Sequence, residues 1–349
     1  MARRPTYLGL QVLRVMAAVL VLITHSGFYA SERLDRSFQY WKTGAAGVDL
    51  FFVISGFVMV YSSVNLIGDR KGWLLFSQRR IIRIVPMYWL ATTIKLVLMV
   101  VAGEFVLHAR FSPLDTVMSY LFLPTRNSDG LFFPLLGVGW TLNFEMLFYL
   151  LFAVALFLRA SVFKFVGVIL FILAAGALFR QDNWPAASFY LSPIVLDFFF
   201  GMLIARACLR GKHLPRGAAV LSVFAGLLLL LVFPTTIWHT SLSGPASAMI
   251  IGGVVRLEAW LTWIPGWLIY LADASYAIYL FHPLVAPAAP MILSKLNMPY
   301  PLLSIALSIC FALVTGCFIH KLVEEPVTLR LKRALEARSS VRAQAALVG

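Results

Sequence analysis

The chain has 349 residues, of which 61% are hydrophobic and only 13% are charged. A soluble domain of this size cannot hide so much apolar side chain, because soluble proteins are about half apolar in composition. The composition therefore excludes a soluble enzyme. The net charge of +14 points to membrane topology and not to nucleic acid, because the cations lie mainly between apolar stretches.

Apolar stretches of membrane-crossing length recur from end to end of the chain. A helix needs roughly 20 apolar residues to cross the hydrocarbon core, and backbone amides in lipid must be hydrogen-bonded within their own segment. The predicted fold class is therefore all-α, a polytopic membrane bundle of about ten transmembrane helices. The predicted spans are 8–29, 44–64, 84–103, 137–158, 162–179, 189–209, 217–234, 245–258, 266–289 and 302–322.

The first stretch predicts a retained helix and not a cleavable signal, because Arg14 interrupts it and no small-residue cleavage site follows. With the N-terminus inside, the basic residues outside the spans concentrate on the cytoplasmic face. Both termini are then expected to be cytoplasmic. We expect residues 1–323 to form the transmembrane domain and 324–349 a basic cytoplasmic tail, while the short apolar patch 113–123 stays outside the bilayer.

Ionisable side chains inside the predicted spans are the main functional signal. An ionised group in hydrocarbon costs several kcal/mol unless it is paired or hydrated, so each one needs an explanation. The residues concerned are Arg14, His25, Asp49, Lys95, Glu145, Asp197, Asp273 and His282.

Arg14 and His25 share one stripe of the first helix. Eleven residues correspond to about 16 Å of rise and to within about 20° of three full turns. The arginine is expected near the inner surface and the histidine towards the outer third. The alternative is a snorkelling arginine and an unrelated structural histidine.

Three further ionisable residues, Asp49, Glu145 and His282, are predicted at the depth of His25 on three other helices. This agreement in height predicts a hydrated cavity that opens towards the outer side and carries acid–base chemistry. A polar cluster that only holds the bundle together is the alternative.

Arginines also stand where the third helix leaves the cytoplasm. Arg80 and Arg83 are one turn apart and share a face. They either anchor the helix to anionic lipid headgroups or bind a phosphorylated ligand, for which guanidinium groups are well suited.

Six motifs in order along the chain resemble the acyltransferase-3 family of integral membrane acyltransferases. They are Leu13-Arg14 with His25, the stretch Gly47 to Phe57, Arg80 and Arg83 followed by Pro86, Trp140-Thr141-Leu142 with Glu145, Asp273-Ala274-Ser275-Tyr276 running to His282-Pro283, and Glu324-Glu325-Pro326. The resemblance extends from Tyr7 to about Arg333 and is greatest to stand-alone exopolysaccharide O-acetyltransferases.

The resemblance implies transfer of an acetyl or other acyl group from cytoplasmic acyl-coenzyme A to a hydroxyl of a surface carbohydrate. The acceptor would be an exopolysaccharide or a lipid-linked oligosaccharide, and the location the bacterial inner membrane. We hypothesise that Arg14, Arg80 and Arg83 bind the coenzyme A phosphates. His25 would then act as general base or carry the acetyl group, and Glu145 would orient its imidazole.

The acceptor side of the site is assigned to four residues. Trp140, Tyr279 and His282 are expected to contact the sugar, and Asp49 either binds the acceptor or pairs with a cation. No metal is predicted, because none of the six histidines has a close ligand spacing.

Two other classes of function remain open. A transporter or flippase for a lipid-linked saccharide would share the buried ionisable residues, although no inverted repeat is visible. A scaffolding membrane protein is the other class, and it predicts that neutralising Arg80 and Arg83 leaves activity and ligand binding unchanged.

Overall fold

The structure is a computed structural model that describes residues 7–103, 112–126, 130–233, 242–261 and 263–348, with side chains up to residue 337. Within these residues every regular element is helical. Residues 1–6, the predicted cytoplasmic start of the chain, lie outside the described residues. The α-helices are α1 (Leu8–Arg33), α2 (Gly47–Ser63), α3 (Gly72–Val101), α4 (Pro113–Tyr120), α5 (Trp140–Phe157), α6 (Val162–Gly176), α7 (Val195–Leu209), α8 (Arg216–Val232), α9 (Ser243–Arg256), α10 (Gly266–Val285), α11 (Ala288–Lys295), α12 (Pro301–Ile319) and α13 (Glu325–Val348).

Six segments of the described chain are long and apolar enough to cross a membrane. They are Leu8–Arg33, Thr43–Leu66, Gly72–Val101, Gly137–Phe157, Gly266–Lys295 and Pro301–Ala337. The other four predicted spans fall on α6 to α9, which have 15, 15, 17 and 14 residues. The apolar patch 113–123 forms α4, a helix of eight residues. The protein is therefore a multi-pass helical membrane protein, as the composition predicts.

The outer faces of the helices carry large apolar side chains that no other described residue covers. Val101 on α3 is 79% exposed, and Leu231 on α8 is 69% exposed. An apolar surface of this extent is unstable in water, and lipid is the environment that satisfies it. The buried side chains instead line the contacts between helices.

Close helix crossings depend on glycines. At the crossing of α2 and α7, a Cβ on Gly56 would collide with the carbonyl oxygen of Phe198, and one on Gly201 with that of Val53. Small residues let the backbones of membrane helices approach closely. Above the crossing, the Phe198 ring stacks on Phe52, with the ring centroids 4.5 Å apart. This crossing holds α2 firmly in position.

Helix α1 lies at the centre of the bundle and contacts α2, α9, α10 and α12. The carboxylate of Glu258 receives hydrogen bonds from the backbone N–H groups of Leu8 and Gly9, the latter at 3.0 Å. A carboxylate there satisfies backbone donors that the first turn leaves free and complements the positive end of the helix. Glu258, which shortens the predicted span 245–258, therefore has a role in capping α1.

The C-terminal helices are continuous. Helix α12 passes through one π-helical turn, His320–Glu324, directly into α13. The predicted boundary between residues 323 and 324 falls within this turn.

Candidate active site

Two cavities lie inside the bundle. The first, of about 610 Å³, is lined by Arg14, Arg80, Arg83 and Glu145 and is called the arginine cavity here. The second, of about 1760 Å³, is lined by His25 among others and is called the histidine cavity. Helix α1 connects them, because Arg14 lies near its start and His25 towards its end. Arg14 and His25, which are predicted to share one stripe of α1, line these two different cavities.

Val48 and Tyr279 line both cavities and form the wall between them. The Tyr279 hydroxyl lies 2.9 Å from the Thr141 hydroxyl and donates to the carbonyl oxygen of Val138 at 3.3 Å. Its ring packs edge-on against Phe51, with the centroids 5.7 Å apart. The wall is therefore one side chain thick, and these contacts hold Tyr279 across it.

The arginine cavity is rich in guanidinium groups. Arg14 donates from Nη2 to the Ser275 hydroxyl at 2.9 Å. The Arg80 guanidinium lies over Phe76, 5.6 Å from the ring centroid. Its Nε is buried and has no hydrogen-bond partner within the described chain. Three guanidinium groups and a single carboxylate, that of Glu145, line this cavity, so the lining carries excess positive charge that a phosphate group would neutralise.

Glu145 belongs to the arginine cavity. Its carboxylate accepts hydrogen bonds from the Ser55 hydroxyl at 3.1 Å and from the Tyr149 hydroxyl. No hydrogen bond between Glu145 and His25 occurs among the described residues. The structure therefore does not bring Glu145 to the imidazole that it is predicted to orient.

His25 is instead hydrogen-bonded to His282. Nδ1 of His25 lies 2.7 Å from Nε2 of His282, and the two rings stack with their centroids 5.0 Å apart. Nδ1 of His282 lies 2.6 Å from the carbonyl oxygen of Tyr279. That carbonyl is available because the residue four positions later is Pro283, which has no N–H to donate to it. The proline in α10 thus leaves a free carbonyl oxygen that accepts the hydrogen bond from His282.

These contacts assign the proton positions in the neutral pair. A carbonyl oxygen only accepts, so Nδ1 of His282 carries the hydrogen and its Nε2 has the lone pair. Nδ1 of His25 must then donate to His282, which leaves the lone pair on Nε2 of His25. His25 lines the histidine cavity, and a lone pair on its Nε2 is what a general base requires.

Two predicted acceptor-binding residues do not reach the cavity surfaces. His282 is fully buried behind His25. Asp49 is 1% exposed and accepts a hydrogen bond from Ser243 at 2.7 Å. A second buried carboxyl group, that of Asp197, lies beside Asp49. This pair joins α2, α7 and α9 and lines neither cavity.

The other two predicted acceptor residues do line the histidine cavity. Trp140 and Tyr279 both face it, and Trp140 contacts Phe144 edge-on, with centroids 6.0 Å apart. Ser275 and Thr141 also contact site residues. They are not among the predicted site residues, although both lie inside the motifs described above. Tyr149 is a further unpredicted contact, and its position one helical turn after Glu145 is a signal for a shared face.

The described residues contain no group of three or more His, Cys, Asp or Glu side chains that could hold a metal ion. The absence of a metal from the reaction stays a prediction.

Comparisons with known proteins cover nearly the whole chain. A family described as an acyltransferase domain, the acyltransferase-3 family, matches residues 7–321. The exopolysaccharide production protein ExoZ of Rhizobium meliloti (strain 1021) is 33% identical over an alignment of 332 residues. The alignment covers 91% of this chain and 99% of that protein. No solved structure matches the chain. The matched range includes every residue of the two cavities named above.

Proposed function

Because the chain belongs to the acyltransferase-3 family and is a membrane acyltransferase, we propose that it transfers an acetyl group from cytoplasmic acetyl-coenzyme A to a hydroxyl of an exopolysaccharide. The observation that carries this proposal is the pair of cavities on α1, with cations in one and an available imidazole in the other. Helix geometry separates Arg14 from His25 by about 16 Å along the axis. An extended donor can cover that distance.

The arginine cavity binds the donor in this proposal. Phosphates of coenzyme A bind Arg14, Arg80 and Arg83, whose guanidinium groups match phosphate oxygens in charge and geometry. Glu145, held by Ser55 and Tyr149, limits the positive charge of the cavity while it is empty. The thioester arm then extends along α1 and displaces the Tyr279 side chain from the wall.

His25 provides the acid–base chemistry. Its Nε2 takes the proton of the acceptor hydroxyl, and the oxygen attacks the thioester carbonyl carbon. The carbon–sulfur bond breaks, and the departing thiolate takes the proton from Nε2. A route in which Nε2 first carries the acetyl group uses the same lone pair. His282 stabilises the positive charge that forms on His25.

The acceptor occupies the histidine cavity and stacks against Trp140, with Tyr279 at its inner end. An exopolysaccharide is proposed because the similar protein ExoZ is named for exopolysaccharide production. Asp49 and His282 are no longer proposed to contact the sugar, since both are buried away from the cavity.

The proposed topology has ten spans, both termini in the cytoplasm and the bacterial inner membrane as location. The basic residues around the start of α3 support it. Arg70 and Lys71 precede α3, and Arg79 lies within it next to Arg80, which lines the arginine cavity. In this topology the short helices α6 to α9 also cross the membrane, beside longer helices. Residues 324–349 then form the cytoplasmic tail.

A transporter for a lipid-linked saccharide is the second candidate, because two cavities separated by a thin wall also suit alternating access. Release of free thiol from acetyl-coenzyme A by the purified protein separates the two functions. An acyltransferase releases thiol when a suitable acceptor is added, and a carrier releases none.

Replacing His25 with alanine tests the catalytic proposal. His25→Ala should abolish acceptor-dependent thiol release while binding of acetyl-coenzyme A is retained, because the arginine cavity is unchanged. His213→Ala, at an exposed histidine outside both cavities, is the matched control and should keep wild-type activity. Wild-type activity in His25→Ala would refute the catalytic role.

A further inference from the structure

Lys95 is a cation within an apolar membrane helix that the reaction described above does not use. It lies on α3, a segment long and apolar enough to cross the membrane. Its side chain lines the histidine cavity, the same cavity that His25 faces. Lys95 is partly buried and makes no hydrogen bond or ion pair within the described part of the chain. A lysine in this position is costly unless water or an anion neutralises it.

A second cation lies near Lys95. Arg33 on α1 is its electrostatic neighbour, and Arg180 lines the same cavity. The lining carboxylates are Asp115 and Asp182, but neither interacts with Lys95. Two like charges next to each other repel, and the repulsion is stronger where protein and lipid exclude water. A negative group that binds at Lys95 would lower this cost.

The position of this cation pair relative to the base limits what can bind. Arg33 follows His25 by eight residues, which is about 12 Å of helix rise. A group bound at Lys95 and Arg33 therefore stands away from the hydroxyl that His25 deprotonates, while the same molecule still reaches both. This suits an elongated acceptor that carries its negative charge on another unit.

We propose that Lys95, with Arg33 beside it, binds an anionic group of the acceptor. This inference rests on the function proposed above. The group is either a carboxylate of an acidic sugar or the diphosphate that joins a saccharide to its lipid carrier. Both offer oxygen acceptors to a lysine ammonium and a guanidinium. The site would select acidic acceptors and orient them with the reactive hydroxyl at His25.

The test measures the acceptor KM of the purified protein in nanodiscs of phosphatidylcholine. Acceptors are non-acetylated saccharide fragments from a strain that lacks the gene, isolated with their lipid-linked diphosphate still attached and used untreated or after chemical reduction of their carboxyl groups. Lys95→Gln removes the charge and Lys95→Arg keeps it. Lys164→Gln, at an exposed lysine that lines neither cavity, is the matched control.

Lys95→Gln should raise the KM for untreated fragments about tenfold or more, the usual loss for a hydrogen bond to a charged group. Lys95→Arg and Lys164→Gln should stay near the wild-type value. If the anion is a sugar carboxylate, reduced fragments give the wild-type protein the same raised KM. If it is a diphosphate, carboxyl reduction has no effect, and inorganic diphosphate competes with the acceptor in the wild type but not in Lys95→Gln.

An unchanged KM in Lys95→Gln overturns the proposal. So does a KM that depends on added phosphatidylglycerol and not on the acceptor, because Lys95 then contacts lipid headgroups. If the wild-type protein releases no thiol with any fragment, the proposed function itself fails. Calorimetric binding of inorganic diphosphate to wild type and Lys95→Gln still decides the anion site in that case.

Discussion

The tautomer of His25 depends on Pro283, a residue that does not contact it. Pro283 has no backbone N–H, so the carbonyl of Tyr279 stays free and accepts a hydrogen bond from His282. His282 must then accept from His25, and the lone pair of His25 is left on Nε2. The role assigned to His282 is therefore to orient His25 and fix its tautomer.

Two amide replacements of His282 separate orientation from simple packing. The amide oxygen of Gln reaches the position of Nε2 and can accept from His25, whereas Asn reaches only the position of Nδ1. We expect His282→Gln to keep kcat within about tenfold of wild type, and His282→Asn to lower it by about 10²-fold or more, the usual contribution of a general base. The KM for acetyl-coenzyme A should not change in either variant.

A purely structural role for His282 predicts the reverse order, since Asn preserves the local bond to Tyr279. ¹⁵N chemical shifts of His25 give an independent readout, because they distinguish hydrogen on Nδ1 from hydrogen on Nε2. A mixed tautomer in the wild-type protein would contradict the assignment.

Among elements, the sequence predicts a depth in the membrane for each buried ionisable residue but does not predict the rotation of each helix about its axis. The apolar runs locate Asp49 and Glu145 at about the height of His25. Rotation of α2 turns Asp49 towards Ser243 and Asp197, and rotation of α5 turns Glu145 towards Ser55. Each rotation is set by contacts between distant helices, and no local pattern encodes them in helices that are apolar all round.

The sequence predicts that Arg14 and Arg80 contribute to one site, because both lie near helix ends at a similar predicted depth. Both line the arginine cavity. The His25–His282 contact was predictable in height only. Its chemistry depends on a hydrogen bond across 257 positions of sequence.

The crossing of α2 and α7 should tolerate no added side chain. Gly201→Val places methyl groups against the backbone of α2 and should lower stability by about 1–3 kcal/mol, seen as a reduced melting temperature in detergent. Gly217→Ala, where a Cβ meets nothing within 4 Å, is the control and should be neutral or stabilising because alanine favours helix. Equal melting temperatures for Gly201→Val and wild type would contradict the close crossing.

On the scale of the whole molecule, the multi-pass helical fold follows from the apolar composition and the length of the apolar runs, because an uninterrupted run of about 20 apolar residues crosses lipid as a helix. The division of the interior into two cavities does not follow from it. The wall consists of single side chains, Val48 and Tyr279, and its existence depends on how α2, α5 and α10 converge.

Opening that wall should uncouple the reaction. Tyr279→Ala joins the cavities and admits water to the thioester, so acetyl-coenzyme A hydrolysis without acceptor should rise several-fold relative to transfer. Tyr279→Phe keeps the ring and loses only the hydrogen bonds to Thr141 and Val138, so it should stay closer to wild type. An unchanged ratio of hydrolysis to transfer in Tyr279→Ala would show that Tyr279 does not separate the two spaces.

The central claim is that donor and acceptor enter from opposite faces of the membrane and meet at His25. Sealed vesicles that contain the protein in one orientation test it, with acetyl-coenzyme A supplied to one face and acceptor to the other. We predict acetylated acceptor only when acetyl-coenzyme A is on the face where α1 begins and acceptor on the face where α1 ends. Transfer that requires both substrates on the same face would contradict this account.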